Sequence, residues 1–209
     1  MAYLILVRHG KSKWNATGQW TGWTDIDLTE EGIAEAARAG EALADIEIHI
    51  AHVSDLMRAK NTLAHIKSAL NKDFKTIVTP AVRERNYGIY TGKNKWQIKE
   101  QVGEEEFKKI RRSWDYPIPE GESLKDVYGR IVPYFEKNIL PDLKAGKNTL
   151  VVAHGNPLRA LMKKLDNISD EAIGDLEFGT GEVYCYVFDG QGNITNKEMR
   201  AVNPDKLKV

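Results

Sequence analysis

The sequence predicts an α/β fold, a three-layer sandwich in which a mostly parallel central sheet carries helices on both faces. Short apolar runs alternate along the chain with segments of helical periodicity, and this alternation is typical of parallel sheets with crossover helices. The runs Ala2–Val7 and Thr149–Ala153 are nearly continuous in apolar residues, as expected for strands buried on both faces. No repeat, low-complexity tract or linker interrupts the 209 residues, so we predict a single domain over residues 1–209.

The elements of the first half follow from apolar runs, caps and turn residues. After the first strand, residues 18–27 form a loop rich in Trp, Gly and Asp. Thr29 is the predicted N-cap of an alanine-rich helix, with Gly32 at the position where a capping box would place Glu. The other elements predicted here are a strand at Ile46–Val53, a helix at Leu56–Leu70 capped by Ser54 or Asp55, and a strand at Thr76–Val78.

The second half begins with a polar and aromatic stretch, residues 83–91, that has no clean period. Tyr116–Gly121 contains two prolines and is predicted to be a loop, after which Ser123 caps a long helix that extends to about Leu143. The other elements predicted here are helices at Lys95–Gln101, Glu104–Arg112 and Leu158–Leu165, a strand at Thr149–Ala153, a short helix from Ser169, and a hairpin that joins Val183–Phe188 to a last strand.

Composition excludes several classes of protein. The 30 basic and 30 acidic side chains cancel, so no global field attracts the chain to nucleic acid or to a membrane, and any anion site must be local. The single cysteine, Cys185, rules out an intrachain disulfide framework and fits a reducing compartment, from which we expect a cytoplasmic protein. His49, His52 and His65 have no metal-ligand spacing with carboxylates or with Cys185, so we expect no metal site.

Two strands end on a histidine followed by glycine, at His9-Gly10 and at His154-Gly155. Ligands bind to open α/β sheets at the carboxyl ends of the strands, so both imidazoles would face one crevice if the two strands are central. A neutral imidazole is a good nucleophile toward phosphorus when a backbone carbonyl holds its other ring nitrogen. Arg8, beside His9, has the planar guanidinium that binds phosphate oxygens in pairs.

Further charged residues complete this pattern. Arg58 follows the second strand and would point to the same edge of the sheet as His9, where the second histidine, His154, would donate to phosphate oxygens. Glu84 is the natural carrier of the proton that phosphoryl transfer to or from a hydroxyl requires. A second positive cluster consists of Lys95, Arg111 and Arg112.

These residues resemble the histidine phosphatase superfamily and, within it, the 2,3-bisphosphoglycerate-dependent phosphoglycerate mutases. The similarity runs almost from end to end, and Trp14-Asn15, Thr21-Gly22-Trp23 and the Arg111-Arg112 pair are typical of the mutase branch. The other segments that carry it are Leu6–Gly10, Ser12, Asp27–Gly32, Ser54 with Arg58-Ala59, Glu84-Arg85, Tyr87-Gly88, Asn94-Lys95, Gly121–Leu124, His154–Asn156 and Leu158–Leu161.

The resemblance implies roles for individual residues. His9 would be the phosphorylated nucleophile and Glu84 the proton donor and acceptor, while Arg8, Arg58 and His154 would hold the transferring phosphoryl group. Residues expected to line the pocket or bind the substrate are Gly10, Lys11, Ser12, Asn15, Thr21, Gly22, Arg85, Tyr87, Lys95, Arg111, Arg112, Gly155 and Asn156. The family uses no metal, is primed by 2,3-bisphosphoglycerate, and forms homodimers or homotetramers.

Three functions are compatible with the sequence. The first is interconversion of 3- and 2-phosphoglycerate in glycolysis and gluconeogenesis, which needs a second anion cluster to retain a bisphosphorylated intermediate. The second is a phosphomonoesterase, which needs only the inner pocket and access for water; the third is a non-catalytic binding module, which would dispense with His9 or Glu84. The chain departs from the family pattern at Lys11 and Asn86, and its short 112–122 stretch predicts a smaller or more mobile lid.

Overall fold

The computed structural model describes residues 1–203, so the last six residues of the predicted domain lie outside the described residues. In this range the chain forms a six-stranded sheet with the strand order β3-β2-β4-β1-β5-β6. The strands are β1 (Ala2–Arg8), β2 (Ile50–Ser54), β3 (Lys75–Thr79), β4 (Thr149–Ala153), β5 (Val183–Phe188) and β6 (Ile194–Ala201).

The sheet is mostly parallel, as predicted. Strands β1 to β4 run in the same direction, and only β5 is reversed, since it pairs antiparallel with both β1 and β6. The two strands that end on histidine are central neighbours: Val7 pairs with Val152 and Arg8 with Ala153. The carboxyl ends of β1 and β4 therefore meet at the same edge of the sheet.

Helices cover both faces of the sheet. The longer ones are α2 (Glu30–Glu41), α3 (Met57–Leu70), α4 (Lys95–Val102), α5 (Glu104–Arg112), α6 (Leu124–Tyr134) and α8 (Gly155–Leu165), and the shorter ones are α1 (Lys13–Ala16) and α7 (Leu140–Lys144). Alternate residues of each strand point to opposite faces, so β1 contributes Ile5 to one core and Leu6 to the other. The Ile5 core is closed by α2 and α3, and the Leu6 core by α6 and α8, which confirms the predicted three-layer sandwich.

A third apolar cluster lies above the carboxyl edge of the sheet. It packs Trp20 and Tyr87 against Ile98 of α4 and against Phe107 and Ile110 of α5. Because α4 and α5 carry Lys95, Arg111 and Arg112, this cluster determines where the second positive group of side chains lies.

Two of the predicted helix caps are present. The Thr29 hydroxyl accepts from the Gly32 amide at the start of α2, and Ser123 forms a capping box with Asp126 at the start of α6. The predicted long helix consists of three consecutive helical segments, since a π-helical segment, Phe135–Ile139, joins α6 to α7. Pro133 lies just before that segment and cannot donate to the ladder, which accounts for the local widening.

Three boundaries predicted from the sequence were wrong. Strand β2 begins at Ile50 rather than Ile46, because residues 42–46 form turns and a bend after α2, while Ile46 and Ile48 are still buried. Helix α3 begins at Met57, and its first amide donates to Asp25, which lies 32 residues earlier in the chain. Helix α8 begins at Gly155 rather than Leu158, so His154 itself occupies the N-cap position.

The described residues contain no helix long and apolar enough to span a membrane.

Candidate active site

The two histidines at the strand ends lie side by side. The ring centroids of His9 and His154 are 4.9 Å apart at an interplanar angle of 61°, and both side chains are buried. The amide of His9 donates to the carbonyl of Ala153 at 3.0 Å, so the hydrogen-bond ladder between β1 and β4 continues to the nucleophile candidate. Strand pairing thus brings together two imidazoles that are far apart in the sequence.

The surroundings of His9 determine its tautomer. Its Nδ1 lies 2.7 Å from the carbonyl oxygen of Gly10, and because a carbonyl can only accept, Nδ1 carries the proton. The lone pair is therefore on Nε2, which lies 3.3 Å from Nε of Arg58. Burial, followed by the charges of Arg58 and Arg8, holds the pKa of His9 well below its usual value. The imidazole is neutral near pH 7 and able to act as a nucleophile at Nε2.

Arg58 and Arg8 surround this imidazole with positive charge, and the backbone orients both. Arg58 donates to the carbonyl oxygens of Thr24 at 3.0 Å and of Gly22 at 2.9 Å, and Arg8 donates to the carbonyl of Phe178 at 2.6 Å. Burial lowers the pKa of Arg58 to about 10, so this guanidinium still carries its charge at neutral pH. Two oriented cations beside a neutral imidazole form a site suited to a phosphoryl group.

His154 differs from His9 because neither of its ring nitrogens has a hydrogen-bond partner among the described residues. Burial and the neighbouring Arg58 hold the pKa of His154 well below its usual value, so it is neutral and has one N–H to donate. Its position at the start of α8 adds the positive end of a helix dipole. A buried donor without a partner next to His9 is suited to bind an oxygen of a transferring group.

Glu84 is held in place by its neighbour Arg85 and by Asn156, which follows strand β4. Its Oε1 accepts from the Arg85 amide at 2.7 Å, from the Asn156 amide at 3.3 Å and from Asn156 Nδ2 at 2.9 Å. Nδ2 of Asn156 also donates to the Tyr87 hydroxyl at 2.9 Å, and its Oδ1 accepts from Arg159. Asn156 therefore links Glu84, the candidate proton carrier, to Arg159.

Most of these side chains line two small adjoining cavities at the carboxyl edge of the sheet, which share five lining residues. The inner cavity, of about 50 Å³, is lined by Arg8, His9, Asn15, Gln19, Trp20, Thr21, Arg58, Glu84, Tyr87 and Lys95. The outer cavity, of about 70 Å³, is lined by Arg8, Trp20, Glu84, Tyr87, Lys95, Arg111, Arg112, Gly155, Asn156, Arg159, Glu177 and Phe178. A wider open groove of about 560 Å³ shares only Arg112 with the outer cavity and none of the histidines.

The outer cavity is strongly basic. Burial, with the nearby charges of Arg111 and Arg8, lowers the pKa of Lys95 to about 7, and burial lowers that of Arg159 to about 9. Arg112 forms an ion pair with Glu177, which is the second carboxylate of this cavity beside Glu84. Clustered buried cations depress one another's pKa values and favour binding of an anion that relieves the repulsion.

Several buried polar atoms at this site have no partner among residues 1–203: Nε of Arg8, Nε1 of Trp20, Oγ1 of Thr21, both ring nitrogens of His154, of which one carries a proton, and Nε of Arg159. Buried donors are normally paired, and each of these belongs to a residue that lines a cavity or touches His9. The donor set fits a ligand with several anionic oxygens, such as a bisphosphorylated hydroxy acid.

Five of the predicted substrate-binding residues do not line either cavity. Lys11 forms an ion pair with Glu31 at 2.9 Å on the outer surface. The other four support neighbouring groups: Gly10 accepts from His9, Gly22 accepts from Arg58, Ser12 caps α1, and Arg85 lies over the Tyr87 ring and donates to Ile110.

Five cavity residues were missed by the sequence analysis: Gln19, Trp20, Arg159, Glu177 and Phe178. A signal existed for Arg159, because it is a charged residue in the otherwise apolar first turns of α8. Glu177 carries no such signal, since it lies in an irregular segment after a short 3₁₀ turn and reaches the cavity only through the fold.

Among the described residues, no group of three or more His, Cys, Asp or Glu side chains is arranged to hold a metal ion.

The chain is similar to known proteins over most of its length. The sequence profile described as "Histidine phosphatase superfamily (branch 1)" matches residues 4–199. A 2,3-bisphosphoglycerate-dependent phosphoglycerate mutase of Mesorhizobium japonicum is 44% identical over 199 residues, which cover 94% of this chain and 97% of the relative. A protein of the same name from Corynebacterium efficiens is 39% identical over an alignment of 228 positions, which covers 97% of this chain and 91% of that one.

Solved structures share the fold. Bacillus stearothermophilus YhfR superposes with a TM-score of 0.82 at 26% identity, covering 93% of this chain and 94% of that one. A mycobacterial glucosyl-3-phosphoglycerate phosphatase in complex with VO3 superposes with a TM-score of 0.82 at 22% identity, covering 97% and 99%.

Proposed function

The chain belongs to the histidine phosphatase superfamily, and we propose that it is a 2,3-bisphosphoglycerate-dependent phosphoglycerate mutase that interconverts 3- and 2-phosphoglycerate. One observation carries the proposal beyond the superfamily. The inner cavity around His9 adjoins an outer cavity with a second set of cations, Lys95, Arg111, Arg112 and Arg159. A phosphomonoesterase needs only the first set, whereas a mutase must retain a bisphosphorylated species while it reorients.

His9 would carry the phosphoryl group. The lone pair on Nε2 attacks phosphorus and the bond from phosphorus to the substrate oxygen breaks. The proton stays on Nδ1, and its hydrogen bond to the carbonyl oxygen of Gly10 stabilises the positive charge on the ring. Arg8, Arg58 and an N–H of His154 would hold the three phosphoryl oxygens during transfer. Such preorganised positive charge and positioning supply most of the catalysis of phosphoryl transfer.

Glu84 would move the proton. It gives a proton to the departing substrate oxygen and takes one from the attacking hydroxyl in the reverse step, so the proton balance closes over one cycle. Asn156 holds the Glu84 carboxylate through two hydrogen bonds and so keeps it at the junction of the two cavities.

The outer cations and Tyr87 would hold the carboxylate and the distal phosphate of the ligand. When bound, 2,3-bisphosphoglycerate supplies the phosphoryl group that primes His9. Residues from α4, α5 and α8 meet at this end of the cavity. Arg111 repels Lys95 and Arg112 repels Arg159, and this repulsion favours binding of a polyanion.

The direct test measures isomerisation of 3-phosphoglycerate in the presence and absence of 2,3-bisphosphoglycerate, together with release of inorganic phosphate. We expect isomerisation that requires the primer, persists in a chelator, and exceeds phosphate release. Phosphate release that dominates over isomerisation would replace the mutase proposal with the phosphomonoesterase alternative.

A labelling experiment tests the nucleophile. With ³²P-labelled 2,3-bisphosphoglycerate, we expect acid-labile, base-stable label in the wild type and none in His9→Ala. The matched control is His65→Ala, since His65 lies on α3 and lines neither cavity. Label that persists in His9→Ala would contradict the assignment.

We also propose that the protein self-associates as a homodimer or homotetramer and acts in the cytoplasm. Light scattering coupled to size exclusion tests the first point, and a monomer at micromolar concentration would contradict it.

A further inference from the structure

We infer that Glu35 is a positioning residue that acts on His9 through the Gly10–Lys11 peptide group. The carbonyl of this peptide accepts from Nδ1 of His9 at 2.7 Å. The N–H of the same peptide donates to Oε2 of Glu35, also at 2.7 Å. The carboxylate and the imidazole thus lie at the two ends of one peptide dipole. The inference rests on the proposed role of His9 as the nucleophile.

The bond between Lys11 and Glu35 has the length of a charge-assisted hydrogen bond. A carboxylate at the N–H end of a peptide polarises the group and places more negative charge on its carbonyl oxygen. That oxygen is the acceptor for His9, so Glu35 strengthens the bond that keeps the proton on Nδ1. It also stabilises the positive charge that develops on the ring when Nε2 attacks phosphorus.

Glu35 is buried, and its surroundings suit an ionised carboxylate. Its two oxygens accept from the Lys11 amide, from the Thr180 hydroxyl at 3.0 Å and from Asn203 Nδ2 at 2.8 Å. Each of these partners offers a hydrogen, which an ionised carboxylate can accept. Thr180 and Asn203 donate to Oε1, whereas Oε2 accepts from the Lys11 N–H.

Two glycines make this arrangement possible. A β-carbon on Gly10 would collide with the backbone of Gly32, and one on Gly32 would collide with the backbone of Lys11. The first turn of α2 therefore packs directly on the Gly10–Lys11 turn, and Glu35, one helical turn after Gly32, reaches the Lys11 amide. The carbonyl of Lys11 also accepts from the Thr29 amide at 2.9 Å, so the N-cap of α2 holds the same turn.

The test compares Glu35→Gln with the wild type and with Thr180→Val. Glu35→Gln keeps the shape and removes the charge, whereas Thr180→Val removes another hydrogen bond to the same carboxylate and leaves the Lys11 contact. For Glu35→Gln we expect kcat to fall about tenfold with KM changed less than about twofold, which is the difference between a charged and a neutral hydrogen bond. Thr180→Val is expected to lose stability, measured by chemical unfolding, without that fall in kcat.

Nitrogen-15 NMR of the free enzyme provides a readout that does not depend on catalysis. In the wild type we expect Nδ1 of His9 to be protonated, Nε2 to be unprotonated, and the Lys11 amide proton to be shifted downfield. In Glu35→Gln the population with the proton on Nε2 should rise, while Thr180→Val should match the wild type.

Three results would overturn the inference. They are a Glu35→Gln variant with wild-type kcat and His9 spectrum, an equal loss of kcat in Thr180→Val, and a wild-type Lys11 amide without a downfield shift. The chemical shift of the Lys11 amide needs no variant, so it can contradict the inference even if Glu35→Gln does not fold. A wild type that forms no phosphohistidine would refute the proposed function instead, and the NMR results would be unaffected.

Discussion

Lys95 gives the sharpest prediction for how catalysis depends on pH. Its ammonium group is buried, and burial together with the charges of Arg111 and Arg8 lowers its pKa to about 7 in the free protein. Since the group lines both cavities, it must be protonated to attract an anionic substrate. We therefore expect the substrate affinity of the free enzyme to decline above neutral pH.

The magnitude follows from that pKa. At pH 8 about one tenth of the free enzyme carries the Lys95 ammonium, and at pH 9 about one hundredth, so kcat/KM should fall about tenfold for each pH unit. In the complex, the anionic substrate raises the pKa of Lys95, so kcat should stay level over the same range. The loss should therefore appear as a rise in KM.

The assay is the steady-state pH profile of 3-phosphoglycerate isomerisation between pH 6 and 9.5, with a saturating primer. In Lys95→Arg the side chain stays charged throughout, and the decline of kcat/KM above pH 7 should disappear. Lys125→Arg, at an exposed position on α6, is the control and should keep the wild-type profile. A wild-type kcat/KM that is flat from pH 7 to 9, or a Lys95→Arg profile that declines equally, would refute this reasoning.

Three further predictions concern stability, binding and reactivity. Gly129 lies inside α6 with open space around it, so Gly129→Ala should raise the free energy of unfolding by about 0.5–1 kcal/mol. Gly32→Ala should lower the free energy of unfolding, because its β-carbon would collide with the backbone of Lys11. Both free energies are measured by denaturant unfolding, and equal effects of the two substitutions would contradict the packing. Glu177→Gln should lower the KM for phosphoglycerate by releasing Arg112 from its ion pair, and a higher KM would show that Glu177 instead orients Arg112 for binding. Cys185 is fully buried and burial raises its pKa to about 12, so a thiol reagent should label it only in denaturant, and rapid labelling of the native protein would count against its burial.

Much of the fold was accessible from local patterns. The buried strands β1 and β4 are visible as apolar runs. Thr29 and Ser123 are recognisable as caps because each accepts a hydrogen bond from an amide only three residues later, so the signal lies within one helical turn. One boundary that failed depends on a distant partner. The amide at the start of α3 is satisfied by Asp25, and no pattern near Met57 announces a carboxylate so far away in the chain.

For the candidate site too, some features follow from local sequence and others from long-range packing. His9 and His154 were suggested by their places at strand ends, which is a local property. Their ring separation of 4.9 Å, however, results from the pairing of β1 with β4. Glu177 lies in an irregular segment, and its contact with Arg112 exists only because that segment packs beside α5.

The sequence by itself determined where most of the strands and helices lie and which side chains are candidates for phosphoryl-transfer chemistry, because periodicity, caps and residue type act over a few positions. Only the tertiary structure decided which of those side chains meet, that Lys11 faces outward, and that Glu35 reaches the peptide that holds His9. The physical reason is that long-range strand pairing and the close packing of two glycines determine these distances, and neither leaves a signature in any short window of the chain.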